Sequence, residues 1–190
     1  MRQLFVAISA SLLLFIGCSK KNNPGDILTS YLDSHNSHDV EATMQLFHEE
    51  ARFTMPGRPP ITDIRKMESW DAAISSNLNY ESWEVRGDTL VIGRITERNN
   101  WFSKAGIPVV EYNPGSEIIL RDGKIYEIRM AEMTEESQRA IGEMFSSFFT
   151  WAEINRPEEL ARLMPQGQIV MSENMAKEWF LLLDLWQRSK

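Results

Sequence analysis

The sequence predicts an α+β fold on three observations. Apolar residues recur at helical spacing near the start, at a spacing of two through the middle, and at helical spacing again in the tail. The first helix begins at Asp26, with Ile27, Leu28, Tyr31 and Leu32 on one face. Asn36 and Ser37 interrupt it. Asp39 can then cap a second helix carrying Val40, Thr43, Met44 and Phe47 on one side. Residues 51–55 read as a short strand, stopped by Pro56-Gly57 and Pro59-Pro60, and a third helix over 63–76 turns Ile64, Met67 and Ile74 inward. Antiparallel strands follow over 80–86, 89–102, 109–121 and 124–130, joined by turns at Gly87-Asp88, Gly106-Ile107-Pro108 and Asp122-Gly123. In the tail, Thr134 caps a helix whose first turn holds Glu135 and Glu136 and whose apolar face is Ile141, Phe145, Phe148 and Ala152. Pro157 suits the first position of another helical turn. Ser172 opens a last helix in which Met175, Trp179, Leu182 and Trp186 form a packing stripe.

The first residues predict export. Arg2 precedes an apolar run over 4–16, which falls short of the roughly 20 residues needed to cross a bilayer as a helix. Residues 1–17 therefore read as a signal peptide. Gly17-Cys18 at its end resembles the bacterial lipobox, with Phe15 where the most typical form has Leu. That resemblance implies cleavage before Cys18, a diacylglycerol on its sulfur and acylation, palmitate included, of the new amino group. Several acyl chains, at about 0.8 kcal/mol per buried methylene, would hold the protein on the bilayer. Cys18 is the only cysteine, so no internal disulfide can form. Residues 18–25 read as a lipidated tether. Ser19 is not acidic, which by resemblance to proteobacterial sorting implies the outer membrane, facing the periplasm, in a diderm source. In any other source the outer face of the plasma membrane is expected.

Export would remove one base, Arg2, and no acid from a chain with 20 basic and 27 acidic side chains, taking the net charge from −7 to −8. Nucleic-acid binding needs clustered Lys and Arg and is not expected. With 43% apolar residues the chain can build a core. It divides into an α+β domain over 26–133 and a helical extension over 134–190 packed on that domain.

Tyr31-Leu32-Asp33-Ser34-His35-Asn36, then Asp39 and Ala42, Leu46-Phe47, Glu50-Ala51, and Asp122-Gly123-Lys124-Ile125 with Ile128 resemble, in order and spacing, the nuclear transport factor 2-like superfamily, including its SnoaL-like branch. The stretch 96–102, with Tyr112 to Glu117, is similar to a bacterial subgroup that carries a helical C-terminal extension. The resemblance implies a cone: a curved antiparallel sheet wrapped on the N-terminal helices, with a pocket at the open end. It also implies that the convex sheet face can pair in a homodimer.

The pocket residues expected on this reading are Tyr31, Met55, Met67, Trp70, Glu97, Asn99, Trp101 and Tyr112. Ketosteroid isomerases of this fold need a tyrosine donor, a carboxylate base and a neutral aspartic acid. Tyr31 matches the first, but the base position falls on Met55 and the third near Ser116, with Glu117 expected on the opposite strand face. No complete catalytic set is therefore expected. His35, His38 and His48 read as solvated histidines near turns, so neither a metal nor a cofactor is called for. Glu97, Arg98, Asn99, Asn100 and Trp101 form either a pocket mouth or a charged strand edge. Three functions stay open: a domain binding a small, largely apolar molecule, a SnoaL-like enzyme using Glu97 or Asp88 as acid or base, and a dimeric interaction module. A polar pocket holding a carboxylate with a raised pKa would favour the enzyme, an apolar one would favour binding, and one filled by the protein's own side chains would leave the interaction module.

Overall fold

A computed structural model describes residues 23–190. The predicted signal peptide and Cys18 lie outside the described residues. Helix α1 (Pro24–Asn36) starts where the Asn23 side chain accepts the Gly25 N–H, so it takes in Pro24 and Gly25, which the sequence assigns to the tether. Asp39 caps α2 (Val40–Leu46) through the Ala42 N–H, and Asp63 caps α3 (Ile64–Ala73) through that of Lys66. The helix α3 stops short of its predicted end because Ser75 takes a left-handed turn with φ of 54°. Between α2 and α3, β1 (Phe47–Thr54) is longer than its predicted counterpart and takes Phe47 from the α2 face.

The strands predicted as long elements are each broken. Residues 80–86 lie on β2 (Asn77–Tyr80) and β3 (Trp83–Arg86), and 89–102 on β4 (Thr89–Ile92), β5 (Ile95–Arg98) and a short helix, α4 (Asn100–Lys104). Residues 109–121 lie on β6 (Val110–Tyr112) and β7 (Ser116–Arg121), which precede β8 (Lys124–Arg129). The order is β1-β8-β7-β4-β3 in one sheet and β2-β5-β6 in the other, with β1 parallel to β8 and the remaining pairs antiparallel. Across the kinks the Glu81 N–H reaches the Arg94 carbonyl at 3.1 Å and the Gly93 N–H reaches that of Ser82 at 2.8 Å. The two sheets are thus halves of one bent surface. Gly93 allows this approach, since a Cβ there would stand 2.2 Å from Ser82 Oγ. At the far end Asp122 and Gly123, both at positive φ, form the predicted hairpin turn.

A bulge in β8 sets which residues face the core. Ile125 pairs with Leu120 and Glu127 with Ile119, leaving Tyr126 as the extra residue. Ile125, Ile128 and Met130 then pack inside with Leu28, Tyr31 and Phe47, while Glu127 lies under Arg52 and Arg129. Burial opposes the Glu127 charge, but the two guanidiniums outweigh it and hold the carboxyl down at about 2. Its folded pKa is below the ordinary 4.5, so the stabilisation is complete above that value and is lost as pH falls toward 2. Allowing for solvent around the half-exposed guanidiniums, it is on the order of 2–3 kcal/mol. In denaturant titrations, the stability gap between wild type and Glu127→Gln should close between about pH 5 and pH 2. A gap independent of pH would mean that shape, not charge, sets the cost.

The extension comprises α5 (Glu135–Asn155), α6 (Pro157–Leu163), a single turn at Pro165–Gly167 and α7 (Glu173–Arg188), with Thr134 and Ser172 as caps as predicted. Its buried stripe, including Phe148, Ala152, Trp179, Leu183 and Trp186, packs against Trp70, Ile74, Trp101 and Val110 of the preceding elements. Tyr112 touches both this cluster and the core inside the sheet, so the extension and the cone share one interior. No described helix is long and apolar enough to cross a membrane.

Candidate functional site

A cavity of about 230 Å³ opens between α1, α3 and the inner sheet face. All eight residues named from the sequence line it: Tyr31, Met55, Met67, Trp70, Glu97, Asn99, Trp101 and Tyr112. Met171, from the segment before α7, lines it too, so the extension contributes to the wall. The Glu97–Trp101 segment resolves into both of its alternatives. Glu97, Asn99 and Trp101 face the cavity, and Arg98 and Asn100 are exposed. The β5 strand ends at Arg98, and Asn99 then does two jobs. Its Oδ1 accepts the Phe102 N–H to cap α4, and its Nδ2 donates to Glu97 Oε1 at 2.6 Å. Starting α4 there turns Trp101 inward.

Among the described residues Glu97 is held by neutral donors only. Besides Asn99, the Ser76 hydroxyl donates to Oε1 at 3.2 Å and the Tyr112 hydroxyl to Oε2 at 3.0 Å. Burial, and then the Glu97 charge, push the Tyr112 phenol well up, which keeps it a donor. Asp88, the other carboxylate considered from the sequence, sits exposed at the β3–β4 turn and does not line the cavity.

The expectation for His35 is overturned. Its ring is 4% exposed, and Nδ1 stands 2.9 Å from Glu68 Oε2, itself on a residue 3% exposed. Burial pulls the His35 pKa down, but the hydrogen bond and charge of Glu68 outweigh it, so the net shift is upward. Nε2 is buried without a partner among the described residues. Tyr31 donates to the second oxygen of Glu68 at 3.4 Å, and burial followed by the Glu68 charge raises its phenol well above the ordinary value. His38 is half-buried with Nε2 3.1 Å from the Ser76 carbonyl, and His48 meets Tyr126 edge to face.

Asp71 lines the cavity one helical turn from Glu68. Its carboxyl has no hydrogen-bond donor among the described residues, and burial, reinforced by the charge of Glu97, pushes its pKa well above the usual range. Met55, at the base position of the isomerase pattern, lines the wall as a thioether, and the cavity's carboxyls, Asp71 and Glu97, come from α3 and β5. Ser116 is buried and accepts the Ala131 N–H, and Glu117 faces outward to Arg129, as alternation predicts.

His35, Glu68 and Asp71 each bring one donor atom within 4.8 Å of the others, the one such group among the described residues. His35 Nδ1 and Glu68 Oε2 are bound to each other at 2.9 Å, so that hydrogen bond would have to break for both atoms to ligate one ion. The sequence does hold the signal for this trio. Asp71 falls on the same α3 face as Ile64, Met67 and Ile74, with Glu68 beside Ile64, and His35 extends the Ile27, Leu28, Tyr31 stripe of α1. Charged residues inside an apolar stripe are rare enough to mark a site.

No protein-family model matches the sequence, nor does any curated protein sequence. Solved structures do match in shape. A nuclear transport factor 2-like protein of unknown function from Cytophaga hutchinsonii aligns with a TM-score of 0.51 at 9% identity, over 64% of this chain and 98% of its own. SalBIII, an epoxide hydrolase/cyclase-like enzyme in pyran ring formation of the polyether salinomycin, aligns with a TM-score of 0.51 at 16% identity, over 60% of this chain and 92% of its own. At such identities the likeness speaks for the fold alone. The described chain therefore has the cone-shaped nuclear transport factor 2-like fold, extended by C-terminal helices.

Proposed function

We propose that this chain binds a small molecule in the cone cavity and moves a proton on it, as an acid–base isomerase or cyclase would. The Asp71 carboxyl carries this reading. It lines a largely apolar cavity with no hydrogen-bond donor of its own among the described residues, and burial raises its pKa well above the usual carboxylate range. Tyr31 and His35 line the same cavity, and His35 Nε2, unpartnered among the described residues, is free to donate to charge that develops on the substrate when the ring is protonated. The cavity is below the roughly 300–1,000 Å³ of drug-sized sites, which favours a compact substrate over a steroid. The test is to incubate the protein with small ketones, neutral and amino-substituted, in D₂O and follow loss of the α-proton signal by NMR. Exchange above the buffer rate is expected for some of them, and buffer rates throughout would overturn the reading.

We propose further that the domain is exported and held on a membrane by acylated Cys18. The lone cysteine after a short apolar run supports this. Cys18→Ser should abolish lipid labelling and leave the protein uncleaved or in the soluble fraction. Normal processing and membrane fractionation of that variant would remove the proposal.

A further inference from the structure

The charge around the cavity is unbalanced. Among the described residues no Lys or Arg lines it, and the one basic group that does, His35, is already paired with Glu68. Two lining carboxyls remain without a cation: Glu97, held by the neutral donors Ser76, Asn99 and Tyr112, and Asp71, held by none among the described residues. Both are partly withdrawn from water, and a carboxylate so placed is costly unless a positive partner or a proton offsets it. Aromatic faces stand around the pair. Trp70 and Trp101 meet edge to face at 6.4 Å, and Tyr80 and Tyr112 complete that side of the wall. Carboxyl groups beside indole and phenol rings, with no resident cation, are the surroundings in which an organic ammonium gains both charge pairing and cation–π attraction.

Resting on the reading of this cavity as the substrate site, we propose that its ligand is a small organic cation, an ammonium carried on a compact hydrocarbon body. The charged head sits at Asp71 and Glu97, and the body lies against Trp70, Trp101 and Met55.

Cyclohexylamine and its neutral counterpart cyclohexanol separate the possibilities, with binding read by calorimetry and by the fluorescence of the cavity tryptophans. The amine should bind at least about tenfold more tightly than the alcohol, the margin expected when a hydrogen bond gains a charged partner. Asp71→Asn should remove most of the amine's advantage over the alcohol, and Glu97→Gln should reduce that advantage. Equal or tighter binding of the alcohol by wild type overturns the cation while the cavity stands as a binding site. Binding of neither removes the cavity reading and the inference with it.

Discussion

Asp71→Asn is expected to slow proton exchange by about 10²–10⁴-fold, the usual worth of a positioned general base, without unfolding the protein. Asn has nearly the same shape and no exchangeable carboxyl. The swap should also leave stability unchanged or raised. Because the folded pKa of Asp71 lies above its unfolded value, the folded state keeps a proton that the unfolded state releases once pH passes the ordinary carboxylate range. Wild type therefore loses stability with rising pH until Asp71 ionises in the folded state, and the variant does not. Parallel chemical denaturation and exchange measurements across pH 4 to 8 check both halves. Full exchange activity in the variant would remove Asp71 from the chemistry, and a large loss of stability would show that its carboxyl is a structural anion.

Trp179→Ala is expected to cost about 3–5 kcal/mol, the range for truncating a fully buried large aromatic, and to lower the melting temperature by about 6–20 °C. Trp179 is 0% exposed, with ring centroids 6.0 Å from Trp101, 5.9 Å from Phe148 and 6.5 Å from Phe149. Since Trp101 is also a cavity wall, the loss should weaken ligand binding as well as the extension. A single unfolding transition, shifted alike for helical and aromatic signals, is expected because the two clusters are continuous through Tyr112. Two separated transitions, with the cone's unmoved, would make the extension an independent unit.

Local chemistry by itself determined much of this protein. Asp39, Asp63, Thr134 and Ser172 stand at helix starts because a cap needs only its own next few N–H groups. Asp122-Gly123 turns the hairpin because positive φ is a local demand. The stripes of α1 and α7 are legible because a face needs no knowledge of its partner. The eight cavity residues were reached from the order of these elements and a family resemblance, and they do converge on one space. The export reading over residues 1–17 and Cys18 rests on sequence alone.

Tertiary structure decided the rest. Alternation of apolar and polar residues runs on through a kink. Gly93 and Pro114 mark breaks locally but do not say that the strands there, and near Ser82, pass from one sheet to the other. The Tyr126 bulge likewise depends on the partner strand, and it alone puts Ile128 inside and Glu127 outside. His35 and Glu68 meet across 33 residues, and Tyr112 and Glu97 across 15. A carboxyl on an apolar stripe can be an error, a surface group or a site until the opposite wall is built. Closing the sheet over α1 and α3 removes water from those groups. That desolvation raises the pKa of Asp71 well above the usual carboxylate range, and no short stretch of sequence contains it.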